Sequence, residues 1–229
     1  MKKQIKHISV GVVIGLLILT GAAWLLSKSL GNFHEPLYAG QSLDYWRQQL
    51  DGRDTGASNK AYAVVNTQVI PQLLDTLFHD TNDSKVRLAA IDVLDGLPGI
   101  RVNFMDARER QSCAAGSLGD LGPAAQSAVP ALIEGLNGED SRLHEHVISA
   151  LGRIHSKPDV VIPILISFLT NDDLNDEAAT ALANYGSLAK VAVPKIIPLL
   201  KARDKEARAA ARAALKQIDP IAAAKAGIN

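Results

Sequence analysis

One pattern constrains this chain more than any other. A β-branched residue and a proline open a short apolar run, a polar turn follows, and a second amphipathic stretch closes the unit. The clearest copy runs from Val129 to Ile154. Pro130 suits the first turn of a helix, where its missing N–H would be unpaired anyway and its fixed φ already fits. Leu132, Ile133 and Leu136 then share one face. Gly138 is expected to end that helix in the left-handed conformation, and Asp140 or Ser141 to cap the next by accepting its free N–H groups. In the second stretch Leu143, Val147, Ile148, Leu151 and Ile154 recur at helical period. Two helices this short cannot bury both stripes by themselves, so the unit needs neighbours.

The neighbours are in the sequence. Val69-Ile70-Pro71 opens a unit whose second helix is read over Lys85–Leu94. Val161-Ile162-Pro163 opens another, partnered by Glu177–Tyr185, and Val193-Pro194 opens the last, partnered by Glu206–Ile218. From Pro71, Pro130, Pro163 and Pro194 to Leu94, Leu151, Leu182 and Leu215 the distances are 23, 21, 19 and 21 residues. Successive prolines lie 59, 33 and 31 residues apart. The long first gap implies a further unit whose opening helix has lost the pattern. Its second helix, Ala107–Leu121, ends Ser117-Leu118-Gly119-Asp120-Leu121 much as Ala150-Leu151-Gly152-Arg153-Ile154 does, and Gly96–Met105 is expected to be irregular. This gives an all-α repeat domain over 42–229, with helix-pair cores near 42–66, 69–96, 101–121 (degenerate), 128–154, 160–186 and 192–218. Ser42 is expected to cap the first of these helices, with Leu43, Trp46 and Leu50 packing inward. Tyr45 and Trp46 are read as packing residues and not as a stacking pair for a ligand.

Composition agrees with helices. Hydrophobic residues make up 47% of the chain and aromatic residues only 4%, where strand-rich domains want more aromatic and β-branched side chains. Residues 1–29 read separately, as a basic head and a transmembrane or signal-anchor segment. Lys2, Lys3 and Lys6 precede the uncharged run Ile8–Leu26, which as a helix would span about 28 Å, close to the thickness of a bilayer's hydrocarbon core. Trp24 falls near its far end, where an indole suits the interface. The alternative is a cleaved signal peptide with Gly21-Ala22-Ala23 at the cleavage site, which would make the chain secreted. Length and the Trp24-Leu25-Leu26 continuation favour an uncleaved anchor. Both readings keep the N-terminus in the cytoplasm and export the rest, with residues 30–41 as a tether. Removing the four lysines of the first 29 residues leaves 20 basic against 24 acidic side chains, a net of −4, which argues against nucleic acid as a partner. Cys113 is a lone cysteine flanked by Ala114 and Ala115, read as a small buried hydrophobe with no disulfide to form.

The repeated form resembles HEAT repeats, in particular the PBS-lyase HEAT-like subclass, over roughly residues 57–219. The residues that carry the likeness are Gly122-Pro123-Ala124-Ala125, the four proline openings and Val86-Arg87-Leu88-Ala89-Ala90. More narrowly, Glu35–Trp46 and Asp106–Arg110 resemble small membrane-anchored HEAT-like proteins of verrucomicrobia-type bacteria. The resemblance implies a right-handed α-solenoid, a mostly binding architecture, and the narrower group implies no defined activity.

Two enzymatic alternatives follow from the same resemblance. Deoxyhypusine hydroxylases hold two irons with His-Glu pairs near the starts of second helices, and His144-Glu145 falls at such a place. The aligned positions in the other units are Arg87-Leu88, Gln111-Ser112, Asn175-Asp176 and Arg208-Ala209, so the remaining ligands are missing. His144 and Glu145, adjacent on a helix, also point about 100° apart, and a solvated helix face is the favoured reading. A bilin lyase is the other alternative, disfavoured because an exported chain would not meet tetrapyrrole-binding partners in the cytoplasm. The basic run Lys201, Arg203, Lys205, Arg208, Arg212 and Lys216 is interleaved with Asp204 and Glu206, as in a solvated terminal face. With no complete catalytic set, the chain reads as a non-enzymatic scaffold without cofactor or metal. It would bind a protein partner through Arg87, His144, Asn175, Asp176 and Arg208 and contact the membrane through residues 8–26.

Overall fold

A computed structural model describes residues 36–50, 55–80, 105–138 and 140–228. Among these the regular elements are all helical. The basic head and apolar run of residues 1–29, the second helix read over Lys85–Leu94, and Gly96–Met105 apart from Met105 itself lie outside the described residues. No helix among the described residues is long and apolar enough to cross a membrane.

The chain enters through a tight turn. Tyr38 and Gln41 bridge backbone to backbone, with Ala39 and Gly40 at positive φ between them. Tyr38 is buried, its carbonyl accepts from Trp46 Nε1 at 2.7 Å, and Ala39 N donates to Gln68 Oε1 at 2.9 Å. Residues 38–41, read from sequence as tether, therefore belong to the folded body. Helix α1 (Leu43–Leu50) follows, capped by Ser42 Oγ, which accepts from Tyr45 N. Trp46 is only 3% exposed and packs as read, with the Lys60 ammonium 5.9 Å from its ring.

Helix α2 (Thr55–Val64), a π-helical turn (Val65–Val69) and α3 (Ile70–His79) run on without a break. Sequence reading places two separate helices here, because Pro71 looks like a start signal. In a regular helix the Pro71 ring would meet the carbonyl four residues back and leave it without a donor. The wider π turn just before it relieves that conflict and keeps the axis continuous. Pro163 shows a second way around the same rule. It lies inside α7 (Pro158–Phe168), because Pro158 occupies the first turn and starts the helix earlier than the Ile162-Pro163 pair suggests.

Four helices carry the body: α4 (Ala107–Asp120), α6 (Ser141–Ile154), α8 (Asn175–Asn184) and α10 (Lys205–Ile218). Each packs along the next in that order. Preceding helices lie against them: α3 against α4, α5 (Val129–Gly135) against α6, and α7 against α8. The 3₁₀ segment Gly186–Ala192, α9 (Val193–Ile196) and the 3₁₀ turn Ile197–Lys201 lie together against α10. A short α11 (Pro220–Lys225) closes the described chain. Local chemistry explains the starts. Asp106 and Glu109 form a reciprocal capping box on α4, while Asp140 and Asp204 accept from the first free N–H groups of α6 and α10. Arg110 at the start of α4 forks onto the Asp80 carboxylate just past α3, at 2.6 and 2.8 Å, and donates to the Met105 carbonyl. This two-pronged contact ties the end of one helix to the start of the other.

The core is a column. Leu118, Leu151, Leu182 and Leu215 are fully buried, one per helix of the row. Beside it the helices come close. A Cβ on Gly152 would sit 2.7 Å from Ala181 Cα, and one on Gly119 would sit 2.9 Å from Arg153 Cβ. Arg153 then reaches across to the Asp120 carboxylate of the preceding helix. Gly122 and Gly186 take φ of 53° and 52° just past α4 and α8, the left-handed exit that only glycine makes cheaply. Gly138, expected to do the same, does not. Helix α5 ends at Gly135 with Leu136 still right-handed, and Gly138 stays out of the left-handed region. Cys113 is a second correction, since it is exposed, its helix turning Ala114 and Ala115 inward instead.

The turn from α6 to α7 places His155 and Lys157 at φ of 52° and 49°, a left-handed geometry unfavourable for residues with a Cβ. Tyr185 holds it. Its ring lies tilted against His155, centroids 4.9 Å apart, and its hydroxyl donates toward the Ser156 and Leu151 carbonyls at 3.0 and 3.2 Å. Burial pushes the phenol up to about 12.

The glycine contacts give a direct test by chemical denaturation. Gly152→Ala should lose about 1–3 kcal/mol, because the new methyl meets helix backbone that cannot swing aside. Gly138→Ala should stay within about 0.5 kcal/mol. Equal costs at the two positions would contradict the packing described.

Candidate functional surface

The residues proposed from sequence as a binding surface occupy repeated places, and the structure puts those places inward. Gln111, His144, Asn175 and Arg208 each lie seven residues before a column leucine. Seven residues is almost two helical turns, so these side chains return to the leucine's own side of the helix. Arg208 shows the consequence most fully. Its Nη1 donates to the carbonyls of Ala202, Arg203 and Asp204 at 2.7–2.9 Å, binding the turn that leads into its own helix. Asn175 is only 5% exposed, and its Oδ1 has no partner. His144 is half-buried, its ring edge-on to Phe168 at 6.0 Å, with Nε2 buried and unpartnered. Asn175 therefore does not present its side chain to a partner, and the Arg208 guanidinium is committed to backbone. Arg87 lies outside the described residues.

Asp176 stands one position further round and is half-buried beside Glu177. Burial first, then the charges of Asp176 and Glu145, holds the Glu177 carboxyl above the ordinary carboxylate range. Carboxylates from the starts of α6 and α8 thus form one negative patch, at helix ends whose dipole favours such charge. The patch can attract cations by field alone. Among the described residues no group of three or more His, Cys, Asp or Glu is placed to hold a metal ion. Sequence reading found Asp176 but missed Glu145 and Glu177 as its neighbours. The signal was available, since both lie off the leucine side of their helices near the N-terminal turn.

A second feature has no counterpart in the sequence reading. On the side of the preceding helices, a groove of about 290 Å³ is lined by Pro158, Asp159, Ile162, Pro163, Leu188 and Val191. Leu188 is 58% and Val191 68% exposed. Val160 and Ile197 are exposed nearby in sequence.

No protein-family model matches the chain, and no curated protein matches it at a significant level. Among solved structures, an engineered protein from the Northeast Structural Genomics Consortium aligns with 81% of this chain and 85% of its own. The identity is 23% and the TM-score 0.40, an overlap too loose to carry an argument.

The raised Glu177 carboxyl sets a pH dependence. A carboxyl with a higher pKa in the folded chain binds its proton more tightly there, so stability falls as pH rises from the ordinary carboxyl range through the raised value. Glu177→Gln removes that loss. The melting temperature of the variant relative to the parent should therefore climb as pH is raised from about 4 to neutral. A difference that stays flat with pH would contradict the burial and charge assigned to this site.

Proposed function

We propose that this chain is a membrane-anchored scaffold of the cell envelope, a right-handed α-solenoid of HEAT-like repeats that holds a protein partner on its second-helix face. The observation that carries the reading is the ordered row α4–α6–α8–α10, with one buried leucine per helix and a preceding helix against each. Stacked units of this kind bury a continuous core and offer a long surface whose outward residues are free to differ from unit to unit. They do differ here. At the outward position six residues before each column leucine the units carry Ser112, Glu145, Asp176 and Ala209. The anchor rests on the uncharged run Ile8–Leu26 and the lysines before it.

The test has two readouts in native membranes. The chain should stay with the membrane fraction through an alkaline wash. Photo-crosslinkers at Glu145 and Thr180 should give the same discrete protein adduct, and one at Tyr62, exposed on α2, should not. Release by the wash would remove the anchor from the account. Failure to form an adduct at either second-helix position, or identical adducts at all three, would contradict the scaffold.

A further inference from the structure

The two long 3₁₀ segments, Gly122–Ala128 and Gly186–Ala192, are built alike and finished differently. Each begins with a positive-φ glycine, and each buries alanines at the same places, Ala125 and Ala128 in one and Ala189 and Ala192 in the other. Those alanines are what the fold requires. At the third and sixth positions the first segment carries half-buried Ala124 and exposed Ser127, whose Oγ donates to Asn66 Oδ1 at 2.6 Å. The second carries Leu188 and Val191, both open to solvent. With Ile162 and Pro163 in the same groove they make a contiguous apolar opening, the kind of patch that marks an interaction surface.

Charge tells what the surface meets. From Gly186 to Arg203 the chain carries Lys190, Lys195, Lys201 and Arg203 and no acidic residue, and these bases are exposed. Gln126 and Ala131 stand where Lys190 and Lys195 stand, so the basic character is particular to this segment and not to the repeat. Exposed Ile197, Pro194 and Pro198 extend the apolar part, and Asp159 at the groove edge is the nearest acid in its lining. Exposed leucine and valine in a segment whose charges are all basic fit a lipid interface. Apolar side chains enter the headgroup boundary there, while lysine stems lie along it and present ammonium groups to anionic phosphates.

We infer that residues 186–201 form a membrane-contact surface for anionic phospholipid, with Leu188 and Val191 inserting at the headgroup level and Lys190, Lys195 and Lys201 meeting lipid phosphates. The inference rests on the membrane-anchored reading only for keeping the body near a bilayer. A contact on this layer leaves the second-helix face free for a partner.

The test uses the full chain with Cys113→Ser and Ser187→Cys, the new thiol carrying an environment-sensitive fluorophore. In bilayers containing anionic phospholipid the emission should shift to the blue and become shielded from an aqueous quencher, increasingly so with anionic content and less so with added salt. Reversing Lys190, Lys195 and Lys201 to Glu should weaken that partitioning by about fivefold or more per lysine. The same label at Thr180→Cys should stay in water. A label at 187 that remains in water on anionic bilayers overturns the proposal, as does equal shielding at 180. Shielding that follows protein concentration and not lipid assigns the surface to a second copy and overturns it as well. An alkaline wash tests the anchor separately. If the wash releases the chain, the same label mixed with anionic vesicles still decides the surface.

Discussion

The close approach of successive second helices is the interaction on which the rest of this structure depends. Leu118, Leu151, Leu182 and Leu215 fill the space between layers. They can do so because the residue after two of them is glycine. Gly152 lets α6 lie against the backbone of α8, and Gly119 lets α4 lie against the aliphatic part of Arg153. Protein interiors are packed about as densely as crystals, so one methyl group at such a contact is felt. With that spacing set, the preceding helices are free to vary. One contains a π turn, one an internal proline, and one breaks into 3₁₀ and α pieces.

The same spacing sorts polar residues into roles. Two turns before each leucine a side chain is drawn back toward the helix–helix turn, where Arg208 clamps three carbonyls and Asn175 is buried. One and two positions further on, Asp176 and Glu177 meet Glu145 at the helix starts and make a negative patch. The basic and apolar residues from Gly186 to Lys201 fall in the first-helix layer instead. A body with acid at its second-helix starts and lysine beside exposed leucine in the other layer has two chemically different surfaces. That is the arrangement proposed here for a protein held to a membrane on one side and offering the other to a partner.

Much of this was legible because it is periodic. The leucine column, the Asp140 cap and the inward Trp46 each follow from spacing that a helix imposes. What was not legible depends on angle or on neighbours. Polarity alone puts Asn175 and Arg208 on the surface, although a seven-residue step returns them to the core side. The alanines that follow Cys113 suggest an inward position for it, although a single residue turns a helix by about 100°. Gly138 was expected to end a helix, but α5 had already ended at Gly135, where Phe78 closes in on the position of a Cβ. The continuous α2–α3 run was hidden because no residue type announces a π turn. Leu188 and Val191 carry no signal in the sequence, since only the packed structure shows which apolar residues the alanines beside them have made unnecessary.

The stack itself is tested most directly by Leu182→Ala, followed by equilibrium denaturation and amide hydrogen exchange. One column leucine lost from a continuous core should cost about 2–5 kcal/mol. The loss of protection should reach α6 and α10, on either side of α8, within a single unfolding transition. A cost below about 1 kcal/mol, or protection lost in α8 while α6 and α10 keep theirs, would contradict an account in which these helices stand or fall together.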